Sequence, residues 1–257
     1  MNILVLGDVV SDSGCEFLLS RLPSLKKLKG IDLCIANGEN SAAGNGILPL
    51  SANRLFDSGV DVITTGNHVY RRREAYTFLD ECDRVIRPAN YSYSNPGKGY
   101  CIVDMGRCRV CVINLAGNYG LDGADNAFDC VDELLKEECK NEKIIIVDFH
   151  AEATSEKRAM GFFLDGRVSA VFGTHTHVQT ADEQILPEGT GYITDVGMCG
   201  VIDSVLGVKK EIIVKKMRDN LPVRFDAASG ECMINGCVFE IDEKTGKCLN
   251  VERLILK

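Results

Sequence analysis

Short runs of apolar, largely β-branched residues, each closed by a polar turn, recur along this 257-residue chain and constrain its fold more than any other feature. Ile3 to Leu6, Leu33 to Ala36, Val62 to Thr65, Val110 to Leu115, Ile144 to Phe149 and Val168 to Phe172 have the length and composition of buried strands. Helix-like stretches separate the early runs, at residues 14–28 and 50–58, and Phe128 to Cys139 spaces its apolar positions for one buried face. Such alternation predicts an α/β fold with parallel strands joined by helical crossovers. After Pro88 the pattern changes. Gly99 to Met105 and Arg109 to Leu115 alternate about a Gly106-Arg107 turn, which reads as an antiparallel hairpin. Pro222 to Ala227, Glu231 to Ile241 and Leu249 to Leu256 read as further strands, separated by Ser229-Gly230 and Thr245-Gly246 turns. Two packed sheets flanked by helices accommodate both halves. With no low-complexity linker and no repeat, one domain over residues 1–257 is expected.

Composition narrows the class. A hydrophobic fraction of 45% and a charged fraction of 26% are those of an ordinary globular chain. The apolar run after Met1 is too short, and too poor in preceding basic residues, for a signal peptide. No stretch is long enough to span a membrane, so a cytoplasmic location is expected. The twelve cysteines are scattered through strand-like and helix-like segments and read as reduced core fillers. Cys108 and Cys111, three apart on an alternating strand, point to opposite faces and cannot easily clamp one metal. A net charge of −8 argues against an extended nucleic-acid surface, so any phosphate must be held locally. The basic runs at Lys26 to Lys29 and Arg71 to Arg73 read as solvated helix ends or faces, the second directly following a candidate site.

Three polar turns follow the first three strand-like runs: Gly7-Asp8-Val9, Asn37-Gly38-Glu39-Asn40 and Thr65-Gly66-Asn67-His68. In a mostly parallel sheet such turns emerge at one carboxyl edge, where open α/β folds place their ligands, so Asp8, Glu39, Asn40, Asn67 and His68 can converge. Each alone is an ordinary turn former. The histidines shift the balance: there are four, His68, His150, His175 and His177, and each closes a strand-like run. His175 and His177, two apart in Gly173-Thr174-His175-Thr176-His177, point the same way if that segment is extended. With oxygen donors from Asp8, Glu39, Asn40 and Asn67 they make a mixed nitrogen and oxygen metal site, compatible with Fe, Mn, Zn or Co. Glu39, central in the series, is the natural carboxylate to bridge two ions. Glu152 and Glu156 read as helix-start carboxylates. Asp182 and Asp195 are candidates to orient the histidines from behind.

These turns resemble the calcineurin-like metallophosphoesterase superfamily, and more closely its YmdB-type bacterial phosphodiesterases. Gly7-Asp8-Val9-Val10, Asn37 to Asn40, Thr65 to His68, Asp148 to Lys157, Gly173 to Asp182, Asp195 to Met198 and Asn220 to Arg224 carry the likeness over essentially the whole chain. Val10 stands where the superfamily usually has a histidine, and Glu39 where it has an aspartate; both departures follow the YmdB-type pattern. The resemblance implies a four-layer α/β/β/α sandwich and a homo-oligomer. It implies two metal ions, Fe or Mn foremost, with Asp8, Glu39, Asn40 and His177 on one and Glu39, Asn67, His150 and His175 on the other. It also implies hydrolysis of cyclic nucleotides, 2′,3′ or 3′,5′, or related phosphodiesters.

The expected chemistry is attack on phosphorus by a hydroxide bridging the two ions. His68, beside Asn67 and outside the ligand set, would stabilise developing charge or protonate the leaving oxygen. A phosphomonoesterase acting on a small metabolite or a phosphoprotein uses the same centre and stays open. So does a metal-binding regulatory protein with little turnover, although such a protein has no need of His68.

Overall fold

The structure is a computed structural model and describes residues 1–121 and 123–257. In chain order the first half forms β1 (Asn2–Leu6), β2 (Asp8–Val9), α1 (Ser11–Lys29), β3 (Leu33–Asn37), α2 (Pro49–Asp57), β4 (Val62–Thr64), α3 (Ala75–Glu81), β5 (Tyr100–Asp104) and β6 (Arg109–Ala116). The second half adds α4 (Ala127–Glu137), β7 (Ile144–His150), α5 (Thr154–Leu164), β8 (Ala170–Thr174), β9 (Gln184–Ile185), β10 (Gly191–Ile193) and β11 (Met198–Val201). It closes with α6 (Lys210–Asp219), β12 (Cys232–Ile241) and β13 (Cys248–Leu256).

The strands make a seven-stranded sheet, ordered β2-β11-β12-β1-β3-β4 with β13 on β12, and a six-stranded sheet, ordered β5-β6-β7-β8-β10-β9. In the first, β1, β3 and β4 are parallel; in the second, β6, β7, β8 and β10 are. Ile3, Val5, Leu33 and Ile35 from the first sheet pack with Val110, Val112, Ile144, Ile146 and Phe172 from the second. Because both faces of the parallel strands are covered, β1, β3 and β7 read as near-continuous apolar runs. On the outer faces, α1, α2 and α3 cover the first sheet and α4 and α5 the second. Leu18, Leu22 and Leu25 give α1 its buried stripe, and Gly30, at φ 59°, ends it in the left-handed conformation. Asn126 starts α4 by accepting from the Phe128 and Asp129 amides. The layers are therefore α/β/β/α.

The β5–β6 hairpin and the β12–β13 pair are antiparallel, as the alternation predicts. Cys108 packs into the core between the sheets and Cys111 into the core under α4, on opposite faces of β6, and all twelve cysteines are free. One expected strand is absent. Pro222 to Ala227 makes a single bridge, Ala227 to Val208, and Phe225 is 42% exposed. Pro222, Val223 and Phe225 line a groove, and Phe225 and Ala227 a neighbouring cavity, so the segment's apolar residues meet pockets and no sheet partner. The short strands β2, β9, β10 and β11 carry too few residues to show a period. No helix of the described residues is long and apolar enough to cross a membrane.

Candidate metal centre and active site

Asp8 opens β2 one residue after β1, Glu39 and Asn40 follow β3, and Asn67 and His68 follow β4. His150 is the last residue of β7, and His175 and His177 follow β8. The carboxyl ends of both parallel sets meet at one place, and Gly66 is what lets them. A Cβ there would lie 2.2 Å from His150 Cδ2, so only glycine permits this approach of one sheet edge to the other. Asp8, Glu39 and His150 are buried although each carries or can carry charge. The segment bearing the last two histidines is not extended, contrary to expectation: His175 has φ 99° and His177 φ 64°. These left-handed residues turn the chain sharply, and the two rings reach the cavity against different partners.

One donor group surrounds His150 Nε2. Asn67 Oδ1 and His175 Nδ1 each lie 3.0 Å from it, and Glu39 Oε1 lies 3.3 Å away. The second group surrounds the Asn40 amide, whose Nδ2 lies 3.4 Å from Asp8 Oδ1, 3.3 Å from Glu39 Oε1 and 3.3 Å from His177 Nε2. His177 Nε2 is 3.5 Å from Asp8 Oδ1. Glu39 Oε1 belongs to both groups. Donors bound to one ion at roughly 2.0–2.2 Å stand about 3.0–3.5 Å from each other, which is the spacing seen in both groups. The residues present thus fit divalent cations, with one qualification in the geometry. Asn40 turns its amide nitrogen toward Asp8 and His177, and ligation through its oxygen requires a half-turn of the amide.

The electrostatics agree with a place for positive charge. Burial alone would neutralise Glu39, but His150 and then His68 outweigh it and hold the carboxyl well below the ordinary range. Asp8 is lowered as well, burial being outweighed by His177. In the metal-free protein burial pulls His150 down and Glu39 raises it further, to about 9, while burial and His150 push His175 down to about 4. Burial also pulls His177 down and Asp8 outweighs it, so the two buried carboxylates raise the proton affinity of both His150 and His177.

Residues behind the donors fix their orientation. Thr174 Oγ1 donates to Asp148 Oδ1 at 2.7 Å, so it accepts from His150 Nδ1 at 2.9 Å, leaving Nε2 to face the cavity. Burial pushes the Asp148 carboxyl up to about 7. Glu152 Oε2 lies 3.0 Å from His175 Nε2 and lines the cavity, so it does more than start a helix. Glu156 does lie in the first turn of α5, and its carboxylate reaches out to accept from the Asn118 amide, after β6, at 2.7 Å. Asp195 touches neither histidine ring. It accepts from the Thr176 amide at 3.2 Å and hydroxyl at 2.8 Å and from buried Lys157 at 2.7 Å, which pins the loop between His175 and His177. Asp182 is spent on Thr180 and Thr194. Asp148 and Lys157 bound one of the runs that carry the family likeness, but the sequence reading assigned neither a role.

His68 donates its amide to Glu39 Oε2 at 2.8 Å and its Nδ1 to Asn40 Oδ1 at 2.8 Å, which leaves Nε2 uncommitted. The cavity it borders has a volume of about 360 Å³. Arg71 to Arg73 do not line it. Arg72 instead clamps the loop at its rim, donating to the carbonyls of Asn45 at 3.0 Å and of Ala43.

Layers, strand order and the donor-bearing edges together define a fold of the metallophosphoesterase type. Within that fold the chain belongs to the family described as YmdB-like protein, whose model matches residues 4–254. A curated relative from Bacillus subtilis strain 168, named 2′,3′-cyclic-nucleotide 2′-phosphodiesterase, is 46% identical over 256 residues, covering 100% of this chain and 97% of its own. The crystal structure of a hypothetical protein from Thermus thermophilus superposes with a TM-score of 0.94 at 37% identity, over 100% of this chain and 99% of that one. The structure of a phosphatase from Mycoplasma pneumoniae also gives 0.94, at 33% identity, over 100% and 93% of the two chains.

Proposed function

We propose that the chain is a phosphodiesterase of cyclic nucleotides, 2′,3′-cyclic ones first, working at a centre of two divalent ions. The class, a phosphoric ester hydrolase, is supported by the names of its relatives from Bacillus subtilis and Mycoplasma pneumoniae. The observation that carries the reading is the sharing of Glu39 Oε1 between two donor groups at ligand spacing. Asp8, Glu39, Asn40 and His177 would hold one ion and Glu39, Asn67, His150 and His175 the other, with Fe or Mn preferred for the mixed donors. Such ions supply ionised water at neutral pH and offset the charge of the phosphate.

The chain's own residues do the rest. Asp148 and Thr174 hold the proton of His150 at Nδ1, and Glu152 accepts from His175 Nε2, so both rings present their other nitrogen to the centre. Once the Asn40 amide has made its half-turn to ligate, its nitrogen donates to His68 Nδ1, so the proton of His68 stands on Nε2, where it would stabilise developing charge or protonate the leaving oxygen. The test is hydrolysis of 2′,3′-cyclic AMP by Mn²⁺-loaded protein, beside the His68→Ala variant and beside p-nitrophenyl phosphate as a monoester. Diester turnover that falls roughly 10²–10⁴-fold in the variant, with metal content unchanged, supports the reading. Preference for the monoester moves the assignment to a phosphomonoesterase, and near-normal turnover in the variant removes His68 from the chemistry.

A further inference from the structure

The cavity lining combines two kinds of residue. Besides the donors Glu39, Asn40, His175 and His177 it includes an apolar wall of Val10, Leu206, Val208 and Phe225. The wall is a flap, residues 205–228, that packs beside the donors by a specific contact. Gly207, at φ 81°, lies against Val10 so closely that a Cβ on it would be 2.3 Å from Val10 Cγ1. Val10 stands two residues after Asp8, at the position where the wider superfamily usually has a histidine. Here that position seats a loop.

The flap is stitched to itself at its base. Lys209 donates its amide to Asp226 at 3.1 Å and Ala228 to Gly207 at 2.9 Å, which sets Phe225 alongside Leu206. Leu206, at φ 57°, is one of five described residues other than glycine with positive φ, and its side chain is 42% exposed, as is that of Phe225. Lys216 Nζ sits 4.7 Å from the Phe225 ring centroid and steadies it from the side of α6. An aromatic ring and a leucine partly open to water beside a polar centre offer a ligand an apolar surface to pack against.

We infer that this wall is the nucleobase subsite, with Phe225 as the stacking platform and Leu206 beside it. The inference rests on the cyclic-nucleotide reading above. The cavity is of the size that takes a small ligand. With the phosphate at the donors, the base is the only part of a cyclic nucleotide with an apolar face to set against the wall. The wall residues Val10, Leu206, Val208 and Phe225 have no polar side-chain atom to read a base edge, so the subsite accepts purines and pyrimidines alike and discriminates base from no base.

The experiment compares 2′,3′-cyclic AMP with ribose 2,3-cyclic phosphate, which lacks the base, in the metal-loaded wild type, Phe225→Ala and Phe225→Tyr. Calorimetric binding of adenosine 3′-monophosphate and of inorganic phosphate gives a readout that needs no turnover. The expected result is a KM for the nucleotide raised about tenfold in Phe225→Ala, kcat and baseless-substrate turnover unchanged, and recovery in Phe225→Tyr. Adenosine 3′-monophosphate binding should weaken by the same factor and phosphate binding not at all. A wild type that treats both substrates alike, or a Phe225→Ala that keeps its preference for the nucleotide, overturns the subsite and leaves the phosphodiesterase standing. Weakened phosphate binding in Phe225→Ala also overturns it, since the residue would then be supporting the donors. Failure of the wild type on both substrates overturns the phosphodiesterase reading and the subsite together.

Discussion

The two sides of the cavity are built in opposite ways. The donor side is made of residues at strand ends, buried and tied by hydrogen bonds to both sheets, as Asn37 shows by donating to the Thr65 carbonyl at 3.0 Å while lying 3.4 Å from Asp148 across the interface. The facing side is the flap around α6, held to itself by two isolated bridges, Val205 to Val208 and Val208 to Ala227, with large apolar groups exposed. Placement by strands suits groups that must hold charge at fixed spacing, whereas a loop on a rigid scaffold can change what it contacts without disturbing them. Damage to the first side should therefore appear in metal content and kcat, and damage to the second in KM alone.

The largest effect is expected at the shared ligand. Glu39→Gln keeps the shape but removes the charge that both donor groups use, and several kcal/mol of stabilisation with it. Turnover should fall roughly a thousandfold and bound metal below that of the wild type, measured by elemental analysis. Full metal content with full turnover would show that Glu39 is no bridge. Lys157→Met follows, because it leaves the Asp195 carboxylate buried without its cation behind the histidine loop. A loss of about 3–5 kcal/mol in urea unfolding is expected, and a loss under about 1 kcal/mol would mean that Thr176 and the Gly197 amide satisfy Asp195 unaided.

A smaller change tests orientation alone. Thr174→Val preserves volume and removes the acceptor of His150 Nδ1, so metal affinity should weaken about 10–100-fold with little change in fold. Unchanged affinity would assign the ring's orientation to packing against Gly66 instead.

The same contrast explains what the sequence disclosed. Buried parallel strands must be apolar throughout, so β1, β3, β4, β6 and β7 were legible from composition, and with them the edge on which Asp8, Glu39, Asn67 and His150 lie. Residues that act on the donors from behind were not, since Thr174 and Lys157 look like any threonine in a strand or lysine in a helix until the sheets are packed. The His175 to His177 turn misled for a related reason: left-handed φ at two histidines is held by Asp195, about twenty residues further on and unpredictable from local pattern. In the flap, Pro222 to Ala227 imitates a strand because its apolar residues are spaced for burial, here against a groove and a cavity instead of a sheet.

The smallest expected effect lies at the seam between the two sides. Val10 follows the donor Asp8 in sequence yet spends its side chain on Gly207 of the flap. Val10→Ala removes two methyl groups from that contact, at a cost of about 1 kcal/mol, and leaves the flap less firmly seated. The KM for 2′,3′-cyclic AMP should rise a fewfold, with metal content and kcat at wild-type values. Gly207→Ala should move KM the same way and further, because the added carbon collides with Val10 and the backbone there has positive φ. If Val10→Ala instead lowers metal content and leaves KM alone, Val10 supports Asp8 and not the flap. The two sides of the cavity would then be one mechanical unit, with the seam drawn here in the wrong place.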